Sequence, residues 1–91
     1  MSEDDEEGIA SIADAIRRYF ATRPEAADTA VGIHRWWLPV ALREEPVSFV
    51  EHALDRLMDE GIARCNVMED GSVIYASARH DEATGPMTGL H

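Results

Sequence analysis

Residues 48–78 read SFVEHALDRLMDEGIARCNVMEDGSVIYASA, and this stretch decides the fold. Val50, Ala53, Leu54, Leu57 and Met58 recur at helical spacing, which predicts a helix with one buried stripe. Ser48 and Glu51 stand as a capping box: the hydroxyl would accept from the Glu51 N–H, and the carboxylate from the Ser48 N–H. Gly61 supplies the left-handed residue that ends this helix. Beyond it the period changes from helix to strand. Residues 62–68 and 73–78 flank Glu69-Asp70-Gly71-Ser72, and the Asp-Gly centre predicts a type I′ turn. That register pairs Met68 with Val73, Val67 with Ile74 and Cys65 with Ala76. It puts Cys65, Val67, Ile74 and Ala76 on the buried face. Arg64, Asn66, Met68, Val73, Tyr75 and Ser77 take the outer one.

Working back from Ser48, residues 39–46 form a loop that carries Arg43, Glu44 and Glu45 between two prolines. Residues 30–38, AVGIHRWWL, predict a second helix, capped by Asp28 or Thr29 and stopped by Pro39. Ile33, Trp36, Trp37 and Val40 have the spacing of its buried face. Adjacent helix positions point about 100° apart, so the two tryptophans cannot be equally buried. Trp37, in line with Ile33 and Ala30, belongs deeper, and Trp36 is left partly exposed. Gly32 costs about 1 kcal/mol inside a helix relative to Ala, a cost that makes sense if another element packs closely over it. Upstream, residues 25–29 are a connector. Residues 8–22 predict the first helix, with Ile9, Ile12, Ile16 and Phe20 on one stripe and Pro24 as its stop.

A chain of 91 residues makes one small domain, and 45% hydrophobic residues suffice for a modest core. The domain is expected over residues 8–78, between an acidic disordered tail, 1–7, and a flexible C-terminal tail, 79–91. No apolar run approaches the roughly 20 residues of a membrane helix, and residues 2–7 are acidic where a secretory leader is basic and then apolar. Cys65 is the single cysteine, which excludes an internal disulfide and suits a reducing cytoplasm of bacterial type. The net charge is −10. Five of the eighteen acidic residues lie in residues 3–7, and the remaining thirteen still outnumber eight arginines. Binding to DNA draws most of its non-specific affinity from Lys and Arg at phosphates, so this balance disfavours nucleic acid.

Helix, connector, helix, loop, a capped helix ending in LDRLMDEGIA and a hairpin around EDGSVIYA: this order resembles the winged helix-turn-helix superfamily over residues 8–78. The resemblance implies an α+β domain of three helices followed by a two-stranded β-hairpin wing. It also implies that the third helix presents Ser48, Glu51, His52, Asp55 and Arg56 to the major groove. Ser48, His52 and Arg56 can contact DNA. Glu51 and Asp55 have the wrong sign for it, as do Glu69 and Asp70 at the wing tip.

No chemistry-bearing motif accompanies this order. His34, His52, His80 and His91 lack metal-ligand spacing, and Cys65 reads as a small core residue. There is no glycine-rich phosphate loop and no serine elbow, so no catalytic, metal or cofactor residue is assigned. The chain is therefore read as a non-enzymatic regulatory or protein–protein interaction module whose acidity suits a basic protein partner. Its candidate contact residues are Arg35, Trp36 and Arg43, with Met68, Val73 and Tyr75 on the outer hairpin face. The alternative is a small transcriptional regulator that binds DNA as a homodimer. That reading requires Arg17, Arg18, Arg35, Arg43 and Arg56 on one face.

Overall fold

The computed structural model describes residues 3–78; the expected tail at 79–91 lies outside the described residues. It is an α+β domain in a winged-helix-like arrangement, three helices and a three-stranded antiparallel sheet. Helix α1, Glu3–Thr22, begins earlier than the Gly8 boundary read from the sequence. The acidic run is thus helical from Glu3 onward. Within it Glu6 pairs with Arg56 of the third helix. Ile9, Ile12, Ala13, Ile16 and Phe20 are buried along one stripe, as the spacing requires.

The expected connector contains a strand, β1 (Ala27–Asp28), that sequence reading missed. Two residues are too few to show alternation, and they pair only because the hairpin offers them an edge. Thr29 caps the next helix, α2 (Ala30–Gly32), its hydroxyl accepting from the Gly32 N–H at 3.1 Å. The Asp28 carboxylate in turn accepts from the Thr29 N–H at 2.8 Å. It lies directly over Gly32, where an added Cβ would overlap the Asp28 carboxylate. Close approach explains that glycine. The helix then widens into a π segment, Ile33–Trp37, before Leu38 and Pro39 turn the chain into a 3-10 turn, Val40–Glu44. This widening breaks the 3.6-residue period. Val40, expected on the buried face, is 73% exposed, and Leu38 is buried instead.

Helix α3, Val47–Asp59, buries Val50, Ala53, Leu54 and Leu57 against α1. The capping box does not form. Extended Pro46 occupies the N-cap and accepts the Phe49 N–H at 2.9 Å, so Ser48 lies inside the first turn. At the other end Gly61, at φ 76°, donates to the Met58 carbonyl and Ile62 to that of Leu57, a Schellman closure. It delivers the chain directly into β2 (Ala63–Val67), which pairs with β3 (Val73–Ser77). The sheet order is β1-β3-β2.

The hairpin register differs by one residue from the expected one: Val67 pairs with Val73, and Cys65 with Tyr75. The Gly71 N–H returns to the Met68 carbonyl at 2.9 Å and the Met68 N–H to that of Ser72 at 2.7 Å, closing a three-residue loop. Of Asp70 and Gly71, only Gly71 has positive φ. A type I′ turn needs both, whereas a type I turn with a glycine bulge needs one. Asp70 instead accepts from the Ser72 hydroxyl at 2.6 Å and N–H at 2.9 Å. Those bonds hold its carboxyl below the ordinary 3.8, so they favour the turn above that pH and weaken on acidification. The shift exchanges the faces of β3, turning Val73, Tyr75 and Ser77 toward the core side.

The Gly32 contact is testable. Gly32→Ala gains about 1 kcal/mol of helix propensity but must displace the Asp28 carboxylate from the Thr29 N–H, and overpacking costs about 1–3 kcal/mol. A net loss of about 1 kcal/mol is expected, seen as a lower denaturant midpoint. In an Asp28→Ala background the same substitution should cost nothing or stabilise.

Candidate interaction surface

The two tryptophans have opposite fates. Trp37 is 8% exposed; its ring stacks on Tyr19 with centroids 4.2 Å apart and meets Phe20 edge-on at 5.4 Å. Trp36 is 68% exposed, with the Arg35 guanidinium 5.9 Å from its ring centroid. The exposed side chains of Val31 and Val40 belong to the same helix-and-turn segment. Periodicity had placed Val40 on the buried face, and the π segment rotates it out as the helix ends. Arg43 is also exposed, but its Nε donates to the Leu38 carbonyl at 3.0 Å and braces the turn after Pro39. His34 does similar work: Nε2 donates to the Glu45 carbonyl at 2.7 Å, tying the π segment to the approach to α3. The structure thus keeps Arg35 and Trp36 together on the surface and gives Arg43 a bracing role.

The hairpin residues divide differently from expectation. Met68 sits in the loop and is half exposed. Val73 and Tyr75 are on the core side of β3, not the outer one, and Tyr75 packs against the buried cluster. No outer patch of Met68, Val73 and Tyr75 exists. Cys65, expected in the core, is exposed, because the hairpin runs out beyond the helices after Ala63. Burial pushes the Tyr75 phenol above its ordinary value of 10, helped by Cys65 and by Asp55 and Glu51 of α3.

On α3, Ser48 and His52 are exposed, while Arg56 is partly buried and paired with Glu6. Arg17 binds Glu60 at 2.7 Å and Arg18 binds Asp14 at 2.8 Å. Three of the five arginines that a DNA surface would need are therefore already in ion pairs. Each such exposed pair contributes at most about 1 kcal/mol to stability, but it neutralises charge that phosphate would otherwise meet. A shallow groove of about 280 Å³ runs along α1 beside the aromatic stack, lined by Ala15, Arg18, Tyr19, Thr22, Trp37 and Pro39. Among the described residues, no three His, Cys, Asp or Glu side chains are grouped to hold a metal, and no helix is long and apolar enough to cross a membrane.

Two measurements follow. Trp37→Ala should cost about 3–5 kcal/mol of stability, whereas Trp36→Ala should stay within about 0.5 kcal/mol of the parent in chemical denaturation. For Tyr75, a raised phenol pKa favours the protonated form in the folded state, so stability is kept below pH 10 and falls as pH rises through the folded value. Phenolate absorbance should show a component titrating above 10 that Tyr75→Phe removes; a lost component at or below 10 contradicts the packing. No family model, curated protein or solved structure matches the chain, so its winged-helix likeness rests on the arrangement of its elements alone.

Proposed function

We propose that this chain is a non-enzymatic interaction module that engages a protein partner through Trp36 and Arg35. The observation that carries this reading is the exposure of Trp36, 68%, next to a domain that buries Trp37 almost completely. A large ring left in water forgoes about 25 cal/mol for each Å² of apolar surface that burial would remove from it. Tryptophan and arginine are also the residue types most enriched at the energetic centres of protein interfaces. The acidity of the chain suits a basic partner in a cytoplasm of bacterial type.

The second reading, a DNA-binding regulator acting as a homodimer, is favoured by the winged-helix-like order and by the exposure of Ser48 and His52 on α3. The ion pairs of Arg17, Arg18 and Arg56 weigh against it, as does the acidity around them.

Anisotropy of labelled random-sequence duplex DNA, titrated with the protein at low and moderate salt, separates the two. No binding at either salt is expected; micromolar binding that weakens steeply with salt overturns the proposal in favour of the regulator. Crosslinking capture from cell extract, with Trp36→Ala as the comparator, tests the anchor. A partner held by the parent should be lost from the variant at unchanged melting temperature, and equal capture by both removes Trp36 from the interface.

A further inference from the structure

The core-side face of the hairpin does not stay in the core. Its cross-strand pairs run outward from Ala63–Ser77, which is buried, through Cys65–Tyr75, to Val67–Val73, where Val67 is 71% exposed. This apolar strip continues the interior into solvent with nothing packed over its outer half among the described residues. It lies beside α3: β2 touches that helix, and Tyr75 packs against the buried cluster to which Val50, Ala53, Leu54 and Leu57 of α3 belong. Along that helix Glu51, Asp55 and Asp59 follow one another at i, i+4 and i+8, a spacing at which like charges repel and weaken a helix. No ion pair among the described residues engages any of the three, although Asp14, Glu60 and Glu6 all have arginines. An apolar strip flanked by an unneutralised acidic row is a local conflict that folding alone does not resolve, and such conflicts collect at functional surfaces.

We infer that this face, with Val67, Val73 and Tyr75 as its floor and Glu51 and Asp55 as its wall, docks a basic amphipathic helical segment of a partner protein. The occupant follows from complementarity. An arginine- or lysine-bearing helix repeats its charges at the same i, i+4 interval as the acidic row, and its apolar stripe would cover the hairpin strip. A second copy of the chain is the wrong occupant, because it would bring another acidic surface to this one. A nucleic-acid strand is repelled for the same reason. This inference rests on the reading of the chain as a protein-interaction module and gives that module a second, chemically defined surface away from Trp36.

The test uses the full chain and two fluorescein-labelled peptides of identical Leu, Ala and Arg composition. One is patterned as an amphipathic helix, and the other is shuffled so that its arginines surround the helix. By anisotropy the patterned peptide should bind about tenfold more tightly than the shuffled one, with salt weakening both. A Glu51→Gln, Asp55→Asn double variant should lose about tenfold in affinity and much of the salt dependence, while melting at or above the parent temperature. Val67→Ser should weaken the patterned peptide and leave the shuffled one unchanged. Trp36→Ala should bind like the parent. Equal affinity for the two peptides, or full affinity in the Glu51/Asp55 variant, overturns the inference. If Trp36→Ala alone abolishes binding, the peptide occupies the tryptophan surface, and this site fails while the interaction-module reading stands. Salt-dependent DNA binding in the earlier titration would instead remove that underlying reading.

Discussion

Burial of α1 against α3 is the constraint on which the rest of the structure depends. The isoleucines of α1 and the Val50, Ala53, Leu54 and Leu57 stripe of α3 form most of the interior. Side chains of this size contribute about 1.5–3 kcal/mol each on full burial. A domain this small has little else to draw on. Everything C-terminal is aimed by that helix pair. The Schellman closure at Gly61 ends α3 and starts β2 with Ala63 still buried, so the hairpin leaves the body at an angle set by the end of α3. β3 then offers an edge that β1 accepts, which ties the segment after α1 into the same sheet.

Charge is distributed as unevenly as burial. Arginines on α1 and α3 are spent locally: Arg18 pairs with Asp14 within α1, while Arg17–Glu60 and Arg56–Glu6 tie α1 to the C-terminal half of α3 across the surface. The remaining acids on α3 face outward without such partners among the described residues. Beside the apolar hairpin residues they form the negatively charged surface on which we propose that a cationic, partly apolar partner docks.

The two adjacent tryptophans take opposite places in the structure. Trp37 completes an aromatic stack with Tyr19 and Phe20 that locks the π segment onto α1. Trp36 points away, with Arg35 over its face. The π turn makes this possible. By ending the regular helix at Trp37 it frees the next turn to expose Val40 while Leu38 and Trp37 hold the interior. Expanded turns of this kind are frequent where a protein has a function to perform.

Local patterns determined a good deal of this protein from the sequence alone. The first and third helices with their buried stripes, the start of the second at Thr29, the stop at Gly61, the hairpin and the unequal burial of the tryptophans follow from periodicity, caps, breakers and one left-handed glycine. These depend on neighbours within a few residues, which a sequence displays directly. What only the tertiary structure decided involves partners distant along the chain or small shifts in geometry. β1 exists because β3 lies beside it, and the acidic run is drawn into α1, where Glu6 meets Arg56 of α3. The hairpin register turned on whether Asp70 would adopt positive φ, and its bonds to Ser72 kept it from doing so. That single residue of slip carried Tyr75 from the outer face to the core side. It also dissolved the expected outer patch and left a different surface in its place, because alternation in a strand turns a one-residue shift into an exchange of faces.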